Sequence, residues 1–229
     1  MTNTEDGRGL VLIAGAGSGL GASLMQKFSN AGYDPVGINR SKFSGAAEVL
    51  QADLSSMKET QAAVEAAMEK YGPPKIVIHN TAQLTIKPFL EMDEDEFENV
   101  WRNMVLTAHN LARASMIPMI RNGGGSFIVS GATASLRGGN KFSAFASAKF
   151  ALRGLTQSLA REFQPKGVHV AHVILDGIID TENSRALHGM DPERMMSPDD
   201  IAQCYLDLAH QPKSTWTHEL DLRPASESF

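Results

Sequence analysis

A glycine-rich turn near the start of the chain has the composition of a phosphate-binding loop. The apolar run Leu10 to Ala14 leads into it, and a helix is predicted from its end to about Asn30. The turn reads Gly15-Ala16-Gly17-Ser18-Gly19-Leu20-Gly21. Amide groups at the start of such a helix can bond a pyrophosphate, and the small residues let the backbone approach it. The turn therefore predicts a dinucleotide site, and the alternative is a turn with a structural role alone.

The residues after the second apolar run indicate which dinucleotide binds. Asn39-Arg40-Ser41 stands there, and none of the three carries a carboxylate. An acidic residue at this point would accept hydrogen bonds from the 2′-hydroxyl of the adenosine ribose and repel a 2′-phosphate. Arg40 can instead hold a phosphate with two hydrogen bonds, and Ser41 offers a further donor. The pattern predicts NADP(H) rather than NAD(H), unless Arg40 is only a solvated surface residue.

Short apolar runs alternate with helical segments along the chain, and several runs are continuous in Val, Ile and Leu, which is typical of strands covered on both faces. The predicted strands are Leu10 to Ala14, Asp34 to Asn39, Val49 to Ala52, Ile76 to His79, Ser126 to Ser130, Val168 to Leu175 and Glu219 to Leu222. Further helices are predicted over Met57 to Tyr71 (with a capping box of Ser56 and Glu59), Asp95 to Arg121 and Phe142 to Phe163.

This alternation predicts a single α/β domain over residues 1–229. Strands joined by right-handed helical crossovers form a Rossmann-like, doubly wound parallel sheet, here of about seven strands with helices on both faces. Residues 183–197 are the one long stretch without clear periodicity, and we expect a substrate lid there.

Further motifs resemble those of the short-chain dehydrogenase/reductase family and occur in the family's order. They are the spacing Gly15-x-x-x-Gly19-x-Gly21, then Asp53-Leu54, His79-Asn80-Thr81-Ala82, Asn103, Phe145-x-x-x-Lys149 and Asp176-Gly177-Ile178-Ile179-Asp180-Thr181. The resemblance extends from Leu10 to about Leu222. Besides the glycine loop and the segment around Arg40, it implies cofactor contacts from Asp53, Leu54, Asn80, Thr81, Ala82, Lys149, Gly177, Ile179 and Thr181.

The resemblance also implies a set of catalytic roles that this chain fills only in part. In the family a tyrosine exchanges a proton with the substrate oxygen, a serine orients that oxygen, a lysine lowers the pKa of the tyrosine, and a helix asparagine holds a water molecule. The last two roles match Lys149 and Asn103. Phe145 stands at the position of the tyrosine and Ala132 at that of the serine. Two of the four catalytic side chains are therefore absent.

Several neighbouring side chains are candidates to replace the missing groups. Ser130 and Thr133 flank Ala132, although both can simply cap or pack their loop. Asp176 can act as an acid in an apolar cleft, and it can equally pair with Lys149 or cap a turn. Lys149 can itself donate a proton, directly or through water. The tyrosines of the chain are expected away from the site: Tyr33, Tyr71 and Tyr205.

The sequence thus predicts an NADP(H)-dependent oxidoreductase with an altered proton-donor site that acts on a small carbonyl, imine or related substrate. The alternative is a catalytically degenerate NADP(H)-binding protein that serves as a sensor, a regulator or an inactive partner subunit. Retained Asn103 and Lys149 favour the first, although Lys149 also binds the nicotinamide ribose in the family.

Composition and the family suggest the setting in which the protein acts. The 21 basic and 26 acidic residues give a net charge of -5, which disfavours nucleic-acid and anionic-membrane partners. No apolar run approaches the roughly 20 residues that span a bilayer. A single cysteine, Cys204, fits a reducing compartment. We therefore expect a cytoplasmic protein without a metal site, and the family implies a homodimer or homotetramer through the helices around Asn103 and Phe145.

Overall fold

A computed structural model of the chain describes residues 8–41 and 48–226. Its strands are β1 (Leu10–Ala14), β2 (Asp34–Asn39), β3 (Val49–Gln51), β4 (Ile76–His79), β5 (Gly125–Ser130), β6 (Val168–Leu175) and β7 (Glu219–Leu222). They form one sheet in the order β3-β2-β1-β4-β5-β6-β7, and every neighbouring pair is parallel. The predicted doubly wound α/β fold is confirmed.

The helices are α1 (Leu20–Asn30), α2 (Met57–Tyr71), α3 (Glu94–Trp101), α4 (Thr107–Arg121), α5 (Ser143–Phe163), α6 (Glu182–His188) and α7 (Pro198–Ala209). The segment predicted as one helix from Asp95 to Arg121 is α3 and α4, joined by a π-helical turn at Arg102–Leu106. A π turn widens the helix by one residue and is often found at functional sites.

Helices cover both faces of the sheet. Alternate strand residues point to opposite faces, so each face has its own apolar core. On one side Leu12 and Phe127 pack in a core with residues of α2, α4 and α5. On the other side Ile13 and Ile128 pack in a second core with residues of α1 and α7. Strand residues with an apolar layer on each side must themselves be apolar, which explains the continuous runs seen in the sequence.

The order of the strands opens a cleft at the carboxyl ends of the central strands. From β1 the chain moves outward to β2 and β3, and it then returns to place β4 on the other side of β1. The connections after β1 and β4 therefore leave the sheet in opposite directions. A parallel sheet binds ligands at such a reversal, beyond the carboxyl ends of its strands.

Residues 183–197, where the sequence predicts a substrate lid, contain regular structure, and the lid itself stays a prediction. Helix α6 fills the first part, and Pro192–Arg194 form a 3-10 turn. The backbone of Met196 exchanges hydrogen bonds with Ile178 and Asp180, both at 2.8 Å. Met195 and Met196 are buried, so this part of the segment is packed against the second core.

The capping box predicted at the start of α2 is present only in half. Ser56 Oγ accepts the amide hydrogen of Glu59 at 3.3 Å, as predicted. The Glu59 carboxylate accepts the amide of Asp53 at 2.9 Å instead of that of Ser56. The side chain thus stabilises the turn that follows β3, close to the cleft.

Candidate active site

The glycine loop leaves β1 at the point where the sheet reverses. Gly15 has a φ of +83°, and a Cβ there would lie 2.8 Å from the backbone oxygen of Asn80. A Cβ on Gly21 would lie 2.3 Å from the backbone oxygen of Gly15. Both positions therefore require glycine. Gly19 caps α1 without any side-chain hydrogen bond to the helix, so the first amides of α1 are available to an anion.

A cleft of about 470 Å³ extends from this loop along the carboxyl ends of β1 to β4. Most of the predicted cofactor contacts line it. The lining residues are Gly15, Gly17, Ser18, Ile38, Asn39, Arg40, Ser41, Ala52, Asp53, Leu54, Asn80, Thr81, Ala82, Asn103 and Thr107. The volume of the cleft, the tight glycine turn and the amides at the start of α1, which no side chain bonds, fit the adenosine and pyrophosphate of a dinucleotide.

Of the remaining predicted contacts, Lys149 lies in α5, and the others lie at the loop and beyond β6. Leu20 and Gly21 begin α1. Thr181 caps α6, accepting the amide of Ser184 at 3.1 Å, and its methyl carbon lies 2.9 Å from where a Cβ on Gly19 would stand. The segment from Gly177 through Ile179 to Thr181 thus connects the end of β6 to the glycine loop. Thr181 therefore adjoins the glycine loop, whereas Gly177, Ile179 and Thr181 are not among the residues that line the cleft.

Arg40 is the one cation among the residues that line the cleft. Its Nη1 donates to Oδ1 of Asn103 at 3.1 Å, and its backbone oxygen accepts from the side chain of Gln51 at 3.0 Å. Within the described residues no carboxylate forms an ion pair with it. Asp53, the one acid of the lining, accepts the amide of Ser55 at 2.9 Å. Among residues 8–41 and 48–226, no acid therefore neutralises the guanidinium charge.

Asn103 lies in the π turn between α3 and α4, and its side chain points to Arg40. Its Nδ2 donates to Oε1 of Gln83 at 2.5 Å. Its backbone oxygen accepts from the hydroxyls of Thr81 at 3.1 Å and Thr107 at 3.0 Å. The side-chain bond thus joins Asn103 to Arg40, and the contacts of Asn103 in the described chain do not include Lys149. No motif in the sequence pointed to Gln83.

Lys149 is the buried base of the site, with 2% of its surface exposed. Its Nζ donates to the backbone oxygen of Ser130 at 2.8 Å and lies 5.6 Å from the ring centroid of Phe145. Burial lowers the pKa of Lys149 from 10.5 to about 8. At neutral pH most of this lysine is charged, and its pKa lies closer to neutrality than that of an exposed lysine.

The two hydroxyls that flank Ala132 lie in different surroundings. Ser130 Oγ donates to Oδ1 of Asn80 at 2.9 Å and lies 2.8 Å from the hydroxyl of Tyr205, which is fully buried in α7. Thr133 is half-buried, and its hydroxyl donates to Asp176 at 2.5 Å. Ser130 is therefore held on the α7 side of the sheet. The hydroxyl of Thr133 lies instead in the segment that follows β5, bonded to Asp176.

Asp176 follows β6 and is buried in a cluster of polar side chains. Its second oxygen lies 3.2 Å from a guanidinium nitrogen of Arg223, and Arg137 approaches its first oxygen at 3.9 Å. Arg223 also pairs with Asp221. The carboxylate thus pairs with arginine and accepts from Thr133, and its contacts do not include Lys149.

Two buried histidines and two tyrosines are each bonded to other side chains of the fold. Burial lowers the pKa of His79 to about 3 and that of His172 to about 4, so both are neutral at physiological pH. His79 bonds the hydroxyls of Thr81 and Thr107, and His172 bonds Ser135. Two tyrosine hydroxyls bond groups outside the cleft: Tyr33 bonds His210, and Tyr71 bonds Glu48.

Comparison with known families agrees with this geometry. A family model described as short chain dehydrogenase matches residues 9–191. The chain belongs to the short-chain dehydrogenase family. It is accordingly related to oxidoreductases that use a nicotinamide cofactor, NAD(P)(H). That Phe145 and Ala132 stand at the positions of the family's tyrosine and serine stays a prediction from the sequence.

Several short-chain dehydrogenases and oxidoreductases are similar over most of the chain. A solved short-chain dehydrogenase from Rhodopseudomonas palustris is 33% identical, with a TM-score of 0.79 over 94% of this chain and 98% of that one. A probable galactose dehydrogenase of Rhizobium meliloti is 28% identical over 77% of this chain and 74% of its own length. An uncharacterized oxidoreductase of Schizosaccharomyces pombe is 32% identical over 73% of this chain and 66% of its own.

Across residues 8–41 and 48–226, no helix combines the length and the apolar character of a membrane span. The same residues contain no group of three His, Cys, Asp or Glu side chains arranged to hold a metal ion.

Proposed function

We propose that the protein is an NADP(H)-dependent oxidoreductase in which Lys149 replaces the absent tyrosine as the proton donor and acceptor. The observation that carries this proposal is the buried Lys149 ammonium. It is held by the backbone oxygen of Ser130 at the carboxyl end of β5, and burial brings its pKa to about 8. A base with a pKa near the working pH is suited to proton transfer in either direction.

The cofactor would lie in the cleft with its pyrophosphate at the start of α1. Gly15 and Gly21 shape the turn, and the amides after Gly19 supply the donors. Arg40 supports NADP(H) over NAD(H), because an unneutralised guanidinium at this end can bond a 2′-phosphate bidentately. When bound, the nicotinamide supplies a hydride to the substrate or takes one up.

The residues of the chain then have two tasks at the reacting bond. Lys149 in its ammonium form gives a proton to the oxygen or nitrogen of a C=O or C=N bond as the carbon receives the hydride, and the neutral amine recovers a proton from water. Thr133 donates its only hydroxyl proton to Asp176, so it can only accept a hydrogen bond from a ligand. This favours substrates that carry an N–H or O–H group at the reacting centre, such as an unprotonated imine with an N–H group, or an alcohol in the oxidation direction.

The test is turnover of NADPH by the purified protein with a panel of ketones, imines, quinones and enones. We expect turnover on at least one class, and we expect Lys149→Ala to abolish it while NADPH still binds. Lys166→Ala serves as a matched control, since Lys166 is an exposed lysine near the end of α5. Tight NADPH binding without turnover on any class would instead support the cofactor-sensing alternative, which the absence of the tyrosine and the serine favours.

We further propose that the protein assembles as a homodimer or homotetramer through the face formed by α3, α4 and α5. Large apolar side chains are exposed there on all three helices: Phe97, Trp101, Ile117 and Phe150. Such a patch on a water-exposed face is typical of a protein interface. Sedimentation of the wild-type chain and of Phe150→Glu tests the proposal, with a monomer expected only for the variant.

A further inference from the structure

We infer that Asn103 is a positioning residue for cofactor selection, because it holds the guanidinium of Arg40 where the 2′-phosphate of NADP(H) would bind. The inference rests on the NADP(H) preference proposed above. Nη1 of Arg40 donates to Oδ1 of Asn103 at 3.1 Å, and both side chains line the same cleft. Arg40 follows β2 and Asn103 lies in the turn before α4, so the bond joins the two sides of the cleft.

The orientation of the Asn103 amide is fixed by its two partners. Arginine can only donate hydrogen bonds, so the oxygen of Asn103 must face Arg40. The Nδ2 group then faces Gln83, whose Oε1 accepts from it at 2.5 Å. Gln83, Asn103 and Arg40 therefore form a chain in which each side chain fixes the next.

The backbone of Asn103 is equally well anchored. Its carbonyl oxygen accepts hydrogen bonds from Thr81 at 3.1 Å and from Thr107 at 3.0 Å. A free arginine side chain loses conformational freedom when it binds a phosphate, and one that is already held loses less. The anchored Asn103 thus lowers the entropic penalty of binding a phosphate at Arg40.

A neutral amide is the appropriate partner for this purpose. It occupies one N–H of a guanidinium that has five, and the others stay available to a phosphate. A carboxylate at the same place would neutralise Arg40 and repel the incoming phosphate. The absence of an ion pair to Arg40 within the described chain agrees with a charge kept for a ligand.

The test measures the dissociation constants of NADPH and NADH, together with those of adenosine 2′,5′-bisphosphate and 5′-AMP, which probe this end of the cleft alone. We expect Asn103→Ala to weaken binding of NADPH and of the bisphosphate about 5- to 10-fold, the effect of one typical hydrogen bond at an exposed side chain, and NADH and 5′-AMP less than about twofold. Asn103→Asp should weaken NADPH further, because it adds the repulsive charge.

Two controls separate positioning from a general structural effect. Asn99→Ala removes an exposed asparagine one turn earlier on α3, outside the cleft, and should leave all four constants unchanged. In an Arg40→Ala background, Asn103→Ala should have no further effect on NADPH, since Asn103 acts through Arg40. Melting temperatures of each variant report whether the fold is intact.

Three outcomes would overturn the inference. Equal loss of NADPH and NADH would assign Asn103 a structural role. A full effect of Asn103→Ala in the Arg40→Ala background would show that it does not act through Arg40. Tighter NADPH binding by Asn103→Ala would make the hydrogen bond a latch that the nucleotide has to break.

The same data distinguish failure of this inference from failure of the proposed function. If Arg40→Ala selectively loses NADPH while Asn103→Ala binds it normally, only the role of Asn103 is lost. If the wild-type chain binds NADH as tightly as NADPH and Arg40→Ala changes neither, the proposed preference fails and the role of Asn103 fails with it.

Discussion

The side-chain nitrogen of Lys149 lies 2.8 Å from the backbone oxygen of Ser130, and the backbone oxygen of Gly131 lies 3.5 Å from the same nitrogen. Peptide dipoles, rather than a carboxylate, hold this ammonium in the described structure. Because no opposite charge compensates its burial, the pKa of Lys149 falls from 10.5 to about 8. The remaining acid–base group of the site therefore titrates close to neutrality.

This titration predicts the pH dependence of the reaction. If the Lys149 ammonium donates the proton in reduction, kcat/KM for the reduced substrate is constant below a pH of about 8. Above that value it falls about tenfold per pH unit, as the ammonium is lost. Initial rates with NADPH over a pH series measure the profile. A residual rate of Lys149→Ala with the same break near pH 8 would assign the titration to another group.

The same burial predicts that Lys149 reduces the stability of the fold. The pKa in the folded protein is about 8 and the ordinary value is 10.5, so folding opposes the charged form. The penalty is fully present below pH 8 and disappears as the pH rises to 10.5. The difference between these two pKa values corresponds to about 3 kcal/mol. The hydrogen bonds that Lys149 donates to the backbone oxygens of Ser130 and Gly131 stabilise the fold and offset part of this penalty.

Lys149→Met should therefore raise the free energy of unfolding at pH 7 by about 1–2 kcal/mol and by much less near pH 10.5. Urea denaturation at the two pH values measures this difference. A control is Lys166→Met, whose exposed side chain should give no such gain. A loss of stability in Lys149→Met at pH 7 would show that the lysine is compensated in the fold.

The sheet could be predicted closely because each strand is a local pattern. The bounds of β1, β2, β4, β6 and β7 agree with the apolar runs, and β3 and β5 each differ by one residue at one end. Parallel strands covered on both faces must be apolar throughout, so their ends coincide with the ends of the runs. The π turn at Arg102–Leu106 was missed, because a single wider turn leaves the helical pattern of apolar residues almost unchanged.

The candidate site was predictable only where its chemistry is local in sequence. The glycine turn is visible because tight turns and close backbone contacts demand glycine at fixed spacing. The bonds that connect Arg40 with Asn103 and Ser130 with Tyr205 join residues that are 63 and 75 positions apart. No periodicity or spacing encodes such pairs, so they follow only from the packing of the helices on the sheet.

The glycine loop gives a prediction that separates cofactor binding from folding. A Cβ on Gly17 would meet no atom within 4 Å, and Gly17 lines the cleft. Gly17→Ala should therefore leave the free energy of unfolding within about 0.5 kcal/mol of the wild-type value. It should still weaken NADPH binding about tenfold or more, because the added methyl occupies the approach of the pyrophosphate.

Fluorescence titration with NADPH and thermal unfolding measure the two effects of Gly17→Ala. Gly138→Ala is the matched control, since a Cβ there also meets no atom within 4 Å and Gly138 does not line the cleft. Undiminished NADPH affinity in Gly17→Ala would place the pyrophosphate elsewhere.

Restoring the two absent side chains tests whether the rest of the site is competent. Phe145 is half-buried, and its ring centroid lies 5.6 Å from Nζ of Lys149, so a tyrosine hydroxyl there comes under the influence of the ammonium. That charge favours the ionised phenol and lowers its pKa. The double variant Phe145→Tyr, Ala132→Ser should therefore gain ketone reduction by up to about 10²-fold, the lower end of what general acid catalysis contributes, because Lys149 already supplies part of that contribution. Phe142→Tyr, on the neighbouring ring of the same aromatic pair, is the control and should give no gain.

If the double variant binds NADPH and folds normally but reduces no ketone faster, then more than the proton donor of this site has changed, and the substrate must be sought outside the simple ketones.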